Sequence, residues 1–146
     1  MENKKDLLAK TSISINASPA KVWDALTNPK IIQKYLFGTE VETDWKPGSD
    51  IRWQGEYEGK KYEDKGKVME VIPKKKLQYT YWSSMSGKKD IPSNYATVTC
   101  TISTKNDKTV LIFTQNNNPT EKSKEQSANN WKAVLKKIKS ILEEKK

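Results

Sequence analysis

The side chains able to do chemistry in this sequence are few, and the commonest one is absent: there is no histidine. Ser-His-Asp and Cys-His nucleophilic centres therefore cannot be assembled, and the usual general base and metal ligand are lost together. Cys100 is the single cysteine, which rules out an intrachain disulfide, a cysteine-built zinc cluster and a CxxC redox pair. It reads as a small buried residue without a reactive role. Carboxylates and tyrosines remain for proton transfer. The candidates are Asp64 and Glu70, provided they face the interior of the strand that carries them. Isolated acidic residues more often lie on an exposed strand face, so no catalytic residue, metal ligand or cofactor is assigned. A hydrolase or cyclase using Asp64, Glu70 or a tyrosine is the least favoured of three functional readings.

The aromatics are more informative. Tyr35, Trp53, Tyr57, Tyr79, Tyr81, Phe113 and Trp131 are compatible with two roles, plain core filling or the wall of a cavity. Together they favour a cavity, because tyrosine supplies an apolar wall with a hydroxyl tip, which suits a mostly apolar ligand carrying a few polar groups. Gln115, if inward, adds a donor and an acceptor. With Leu135 on the facing helix, these residues make the expected ligand-binding set. Trp131 itself reads as a packing anchor for that helix ahead of a ligand contact.

The elements that must position these groups can be read from periodicity. Thr11 to Ala17 alternates as a half-buried strand. Ser18-Pro19 then supplies a cap and an N1 proline for a helix with Val22, Trp23, Ala25 and Leu26 on its apolar face. Asn28-Pro29 ends it, and Ile31, Ile32, Tyr35 and Leu36 suggest a second short helix ending near Gly38. Six strands follow near residues 41–45, 50–57, 62–72, 76–82, 95–104 and 109–116, separated by turn residues. Their inward faces are Val41, Thr43 and Trp45; Ile51, Trp53, Gly55 and Tyr57; Leu77, Tyr79 and Tyr81; and Ala96, Val98, Cys100 and Ile102. The run Val110 to Phe113 is apolar throughout; Leu111, Phe113 and Gln115 are taken as inward. Val68 and Val71 share a face only if a bulge lies near Met69 or Glu70. Asn118-Pro119-Thr120-Glu121 reads as N-cap, N1 proline and capping-box Glu, opening a long helix striped by Trp131, Val134, Leu135, Ile138, Ile141 and Leu142.

At 146 residues the chain reads as one α+β domain, residues 1–146, with a curved antiparallel sheet of about seven strands in the order β-α-α-β6-α and a long C-terminal helix. Its net charge is +9, but Arg52 is the only arginine among 27 basic residues. Lysine hydrates a surface and lacks the planar fork of base and phosphate recognition, so no nucleic-acid partner is expected. The stretch MENKKDLLAK is not signal-like and no run reaches membrane-spanning length, so a cytoplasmic protein with no membrane partner is expected. Lys74, Lys75 and Lys76 and the lysines of the last helix read mainly as a solvated face; as a basic patch they would define the second reading, a protein-interaction or stress-associated module.

The order of elements resembles the helix-grip fold of the START/SRPBCC superfamily. The local words are similar to those of the activator-of-heat-shock-protein-ATPase homologues: Ala17-Ser18-Pro19, Val22-Trp23-Asp24-Ala25-Leu26-Thr27-Asn28-Pro29, Pro47-Gly48-Ser49, Gly66 through Pro73, and Asn130-Trp131. Ser49 stands where that family commonly has a second glycine, and Asn130 where it has glycine. The resemblance implies a sheet gripping the last helix. It does not carry over chaperone activation, which depends on a further domain, and the superfamily includes lipid, hormone and polyketide binders beside some cyclases and hydrolases. The expected function is thus non-catalytic binding of a small apolar or aromatic molecule between sheet and helix.

Overall fold

The structure is a computed structural model describing residues 7–36, 38–83, 88–118 and 120–143, the side chain of Tyr57 excepted. In chain order the elements are β1 (Ala9–Ile15), α1 (Pro19–Thr27), α2 (Pro29–Tyr35), β2 (Glu40–Glu42), β3 (Asp50–Tyr57), β4 (Lys60–Ile72), β5 (Lys76–Tyr81), β6 (Ala96–Lys105), β7 (Lys108–Gln115) and α3 (Glu121–Glu143). The strands form one antiparallel sheet in the order β1-β7-β6-β5-β4-β3-β2. β1 and β2 follow each other in sequence but lie at opposite edges, so α1 and α2 must cross the open side of the curved sheet. The α+β helix-grip arrangement expected from the sequence is present.

The two short helices are punctuated by their own caps. Ser18 Oγ accepts from the Lys21 N–H at 3.2 Å with Pro19 opening α1. Asn28 then acts twice: its backbone N–H donates to the Asp24 carbonyl at the end of α1, and its Oδ1 accepts from the Lys30 N–H at 3.0 Å at the start of α2. One residue therefore fixes the angle between the helices.

The bulge inferred in β4 lies between Val68 and Glu70, with Val68 opposite Tyr79 and Glu70 opposite Gln78. It turns Tyr62, Asp64, Gly66 and Val68 inward before it and Val71 inward after it, leaving Met69 exposed. β7 follows the expected parity, with Leu111 and Phe113 buried.

α3 seats Leu135 and Ile138 in the core, both fully buried, each contributing about 1.5–3 kcal/mol of transfer free energy. It also covers the free edge of β1. Lys139 Nζ donates to the Ser14 carbonyl at 2.8 Å, and Glu143 Oε2 accepts from the Asn16 N–H at 2.7 Å. Polar groups that an open edge would present for pairing are thereby satisfied.

Three expectations are corrected. The strand placed at 41–45 is only Glu40–Glu42, because Trp45 adopts a left-handed backbone (φ 56°) and sends its indole N–H to the Thr27 carbonyl at 2.8 Å. The first strand begins and ends two residues earlier than its alternation suggested, at Ala9–Ile15, since its register is set by pairing from Ala9 with Gln115 to Ile15 with Thr109. Asn118 is not the cap of α3. Thr120 is, accepting from the Ser123 N–H at 3.0 Å, while Asn118 is buried, donating to the Leu7 and Gln115 carbonyls and accepting from Ser127 Oγ. Pro119 lies outside the described residues.

Candidate functional site

The curvature of the sheet and the helices across it enclose a cavity of about 460 Å³. Its floor is the inward face of β3 to β7, where Trp53, Tyr79, Tyr81 and Phe113 project because they alternate with outward residues. α1 and α2 contribute Leu26, Ile32 and Tyr35, and α3 closes it with Ser127, Asn130, Trp131 and Val134. Exposed Glu56 and Asn130 mark its mouth. Trp53 packs against both tyrosines of β5, with ring centroids 5.5 Å from Tyr79 and 5.1 Å from Tyr81. Phe113 meets Trp131 at 4.8 Å. Such tilted aromatic pairs hold one another in fixed orientations.

Most polar tips in this wall are committed to the protein. The Tyr35 hydroxyl donates to the Ala25 carbonyl at 2.9 Å, and burial holds its pKa far above the usual phenol value. Thr39 Oγ1 donates to the Leu36 carbonyl at 2.7 Å; its one proton thus used, it accepts from the Tyr62 hydroxyl at 2.5 Å. The Tyr81 hydroxyl donates to Asp64 Oδ2 at 2.7 Å, and burial first, then the Asp64 charge, raise its pKa. Trp131 Nε1 donates to Gln115 Oε1 at 2.7 Å, tying α3 to the end of β7. Cys100 sits on the floor, 1% exposed, its thiol pKa pushed up by burial, consistent with an inert thiol.

Of the residues expected to contact a ligand, Tyr35, Trp53, Tyr79, Tyr81, Phe113, Gln115 and Trp131 line this cavity together. The side chain of Tyr57 lies outside the described part of the structure. Leu135 is placed elsewhere: it is fully buried in the core against the sheet, and its neighbour Val134 takes the cavity wall. The two acidic candidates separate. Asp64 lines the cavity at 8% exposure, whereas Glu70, at the bulge and opposite Gln78, lies on the outer face paired with Lys76 at 3.0 Å. Sequence reasoning missed Tyr62. A signal for it existed in the alternation Tyr62, Asp64, Gly66, Val68, and in Gly55 opposite, where a Cβ would collide with the Tyr62 ring.

A wider concavity of about 1300 Å³ lies largely on the outer side of β2 to β4. Both of its lysines are paired within it, Lys65 with Asp90 at 2.5 Å and Lys67 with Asp50 at 3.5 Å, and it is open to solvent, so the inner cavity is the better candidate. Among the described residues there is no group of three or more His, Cys, Asp or Glu able to hold a metal, and no helix long and apolar enough to cross a membrane.

Residues 16–143 match the family model described as Activator of Hsp90 ATPase homolog 1-like protein. No curated protein sequence matches. Among solved structures, the chain is similar to ChR145 from Cytophaga hutchinsonii, with 45% identity over 98% of this chain and 97% of that one and a TM-score of 0.85. The Aha1 dimer from Colwellia psychrerythraea is 23% identical over 93% of this chain and 96% of that one, with a TM-score of 0.71. CalU16 from Micromonospora echinospora is 18% identical over 93% and 83%, also with a TM-score of 0.71. The last two likenesses speak to fold alone.

Proposed function

The chain belongs to the Activator of Hsp90 ATPase homolog 1-like protein family, and we propose that it is a single binding domain that encloses a small, largely apolar or aromatic molecule between the sheet and α3, without catalysis. The observation that carries this reading is the wall: a space of about 460 Å³ bounded by eight aromatic side chains whose rings are fixed by one another or by hydrogen bonds to the protein. This is the size and character of small-molecule sites. Of the two acidic candidates from the sequence, Asp64 alone lines the cavity, where it accepts a hydrogen bond from Tyr81, whose raised pKa keeps it a donor.

The test is a titration with N-phenyl-1-naphthylamine, a neutral dye that brightens in apolar surroundings. Saturable binding of one dye per chain is expected, abolished by Val134→Trp, which fills the cavity from α3. Absence of saturation, or equal binding by a folded Val134→Trp variant, contradicts the proposal.

A further inference from the structure

Three donors in the cavity wall have no partner among the described residues. The Tyr79 hydroxyl and the Trp53 indole N–H make no hydrogen bond there, although these residues are only 8% and 7% exposed. Neither atom is locked in the packed core, since no fully buried side-chain nitrogen or oxygen among the described residues is left unpaired; both residues line the cavity. The third donor follows from chemistry. Trp131 Nε1 can only donate, so the atom of Gln115 facing it must be the amide oxygen, and the Gln115 NH2 is left over.

These groups are close neighbours on the sheet. Tyr79 pairs with Val98 and Val98 with Gln115, putting Tyr79 and Gln115 two strand spacings apart, about 9–10 Å, across a small side chain. The Trp53 ring lies 5.5 Å from that of Tyr79. An indole N–H and an amide NH2 offer no lone pair, and burial raises the Tyr79 pKa, which keeps the phenol protonated. The three groups left over in the wall are therefore donors. The wall is also not cationic: despite 27 basic residues in the chain, no lysine or arginine is among the described lining residues, which include the carboxylates of Asp64 and Glu56.

Resting on the cavity-binding reading above, we infer that the occupant is a neutral aromatic molecule bearing a carbonyl or equivalent hydrogen-bond acceptor, held by Tyr79, Trp53 and Gln115. A hydrocarbon would leave these donors desolvated and unpaired. A carboxylate or sulfonate would meet carboxylates in place of a counter-charge.

Three probes sharing one ring system, 2-acetonaphthone, 2-ethylnaphthalene and 2-naphthoate, are titrated at pH 7.5 by displacement of N-phenyl-1-naphthylamine. Tyr79→Phe keeps the ring and removes the hydroxyl. Gln115→Glu keeps an oxygen for Trp131 and replaces the NH2 by a second acceptor. Each variant is expected to weaken the ketone about threefold to tenfold, the loss of one net hydrogen bond, while 2-ethylnaphthalene changes by less than about twofold. The naphthoate is expected to bind most weakly of the three. Equal losses for ketone and hydrocarbon in folded variants, or tightest binding of the naphthoate, overturn the inference and leave cavity binding standing. If the dye itself does not bind, the cavity reading fails and takes the inference with it.

Discussion

Replacing Trp131 by Phe isolates the hydrogen bond that ties α3 to the sheet through the cavity wall. A six-membered ring still meets Phe113, so most of the pair energy of about 0.5–1.5 kcal/mol is retained. The indole N–H bond to Gln115 is lost, worth about 0.5–1.5 kcal/mol net, and the missing part of a half-buried indole removes about 0.5 kcal/mol of apolar burial. The variant should be about 1.5 kcal/mol less stable, melting about 5 °C lower. Gln115→Leu alone strands the Trp131 N–H at similar cost. The double variant leaves neither group behind, so its loss should fall short of the sum by about 1 kcal/mol. Urea denaturation followed by far-UV circular dichroism on all four chains measures this. Additivity within about 0.3 kcal/mol would refute the role given to this bond.

Gly66→Ala should cost more than about 2 kcal/mol or prevent folding, because a Cβ would collide with the Thr80 backbone carbonyl while the Trp53 ring stands 3.4 Å away; Gly59→Asn, at a turn with open space and φ 81°, should cost less than about 1 kcal/mol in the same urea assay. Lys139 and the Asn16 N–H hold the Glu143 carboxyl below the usual glutamate range, so the stability it adds is present above the unfolded pKa and lost as pH falls through the lower folded value. The gap in stability between the protein and Glu143→Ala should be constant from pH 7 to about 5 and shrink in more acid solution; a pH-independent gap would contradict this docking of α3 on β1. Cys100 should react with 5,5′-dithiobis(2-nitrobenzoate) orders of magnitude more slowly in the folded chain than in urea, as its burial and raised pKa demand, and rapid native reaction would show an open core.

The parts of the fold that the sequence made legible are those with one buried and one wet face. β6 alternates Ala96, Val98, Cys100 and Ile102 with threonines, and each inward residue is buried. The β4 bulge was legible because Val68 and Val71 violate a period of two. β7 was not, since outward Val110 and Ile112 are half-buried and erase the alternation; the register with β1 and β6 decides its face. At the start of α3 a proline following an asparagine mimics a cap, but the Asn118 amide is buried and satisfies the carbonyl of Gln115 at the end of β7 and that of Leu7 ahead of β1, the latter a long-range demand invisible in local spacing. The aromatic cavity wall was recoverable from strand parity, while Leu135 against Val134 was not, because adjacent positions on an amphipathic helix differ only in how the helix is rotated over the sheet. Which tyrosines keep a free hydroxyl was equally hidden. Tyr35, Tyr62 and Tyr81 are paired with partners 10, 23 and 17 residues away, and Tyr79 is not.

The five tryptophans make the central claim directly measurable, since each indole N–H gives its own signal in a ¹H–¹⁵N spectrum. On titration with 2-acetonaphthone, the Trp53 and Trp131 signals should move together along one saturating curve, because both line the cavity. Trp82, which stacks on Tyr95 outside the cavity, should stay fixed. Motion of Trp82 alone, or no saturable shift at Trp53 and Trp131, would contradict binding beneath α3.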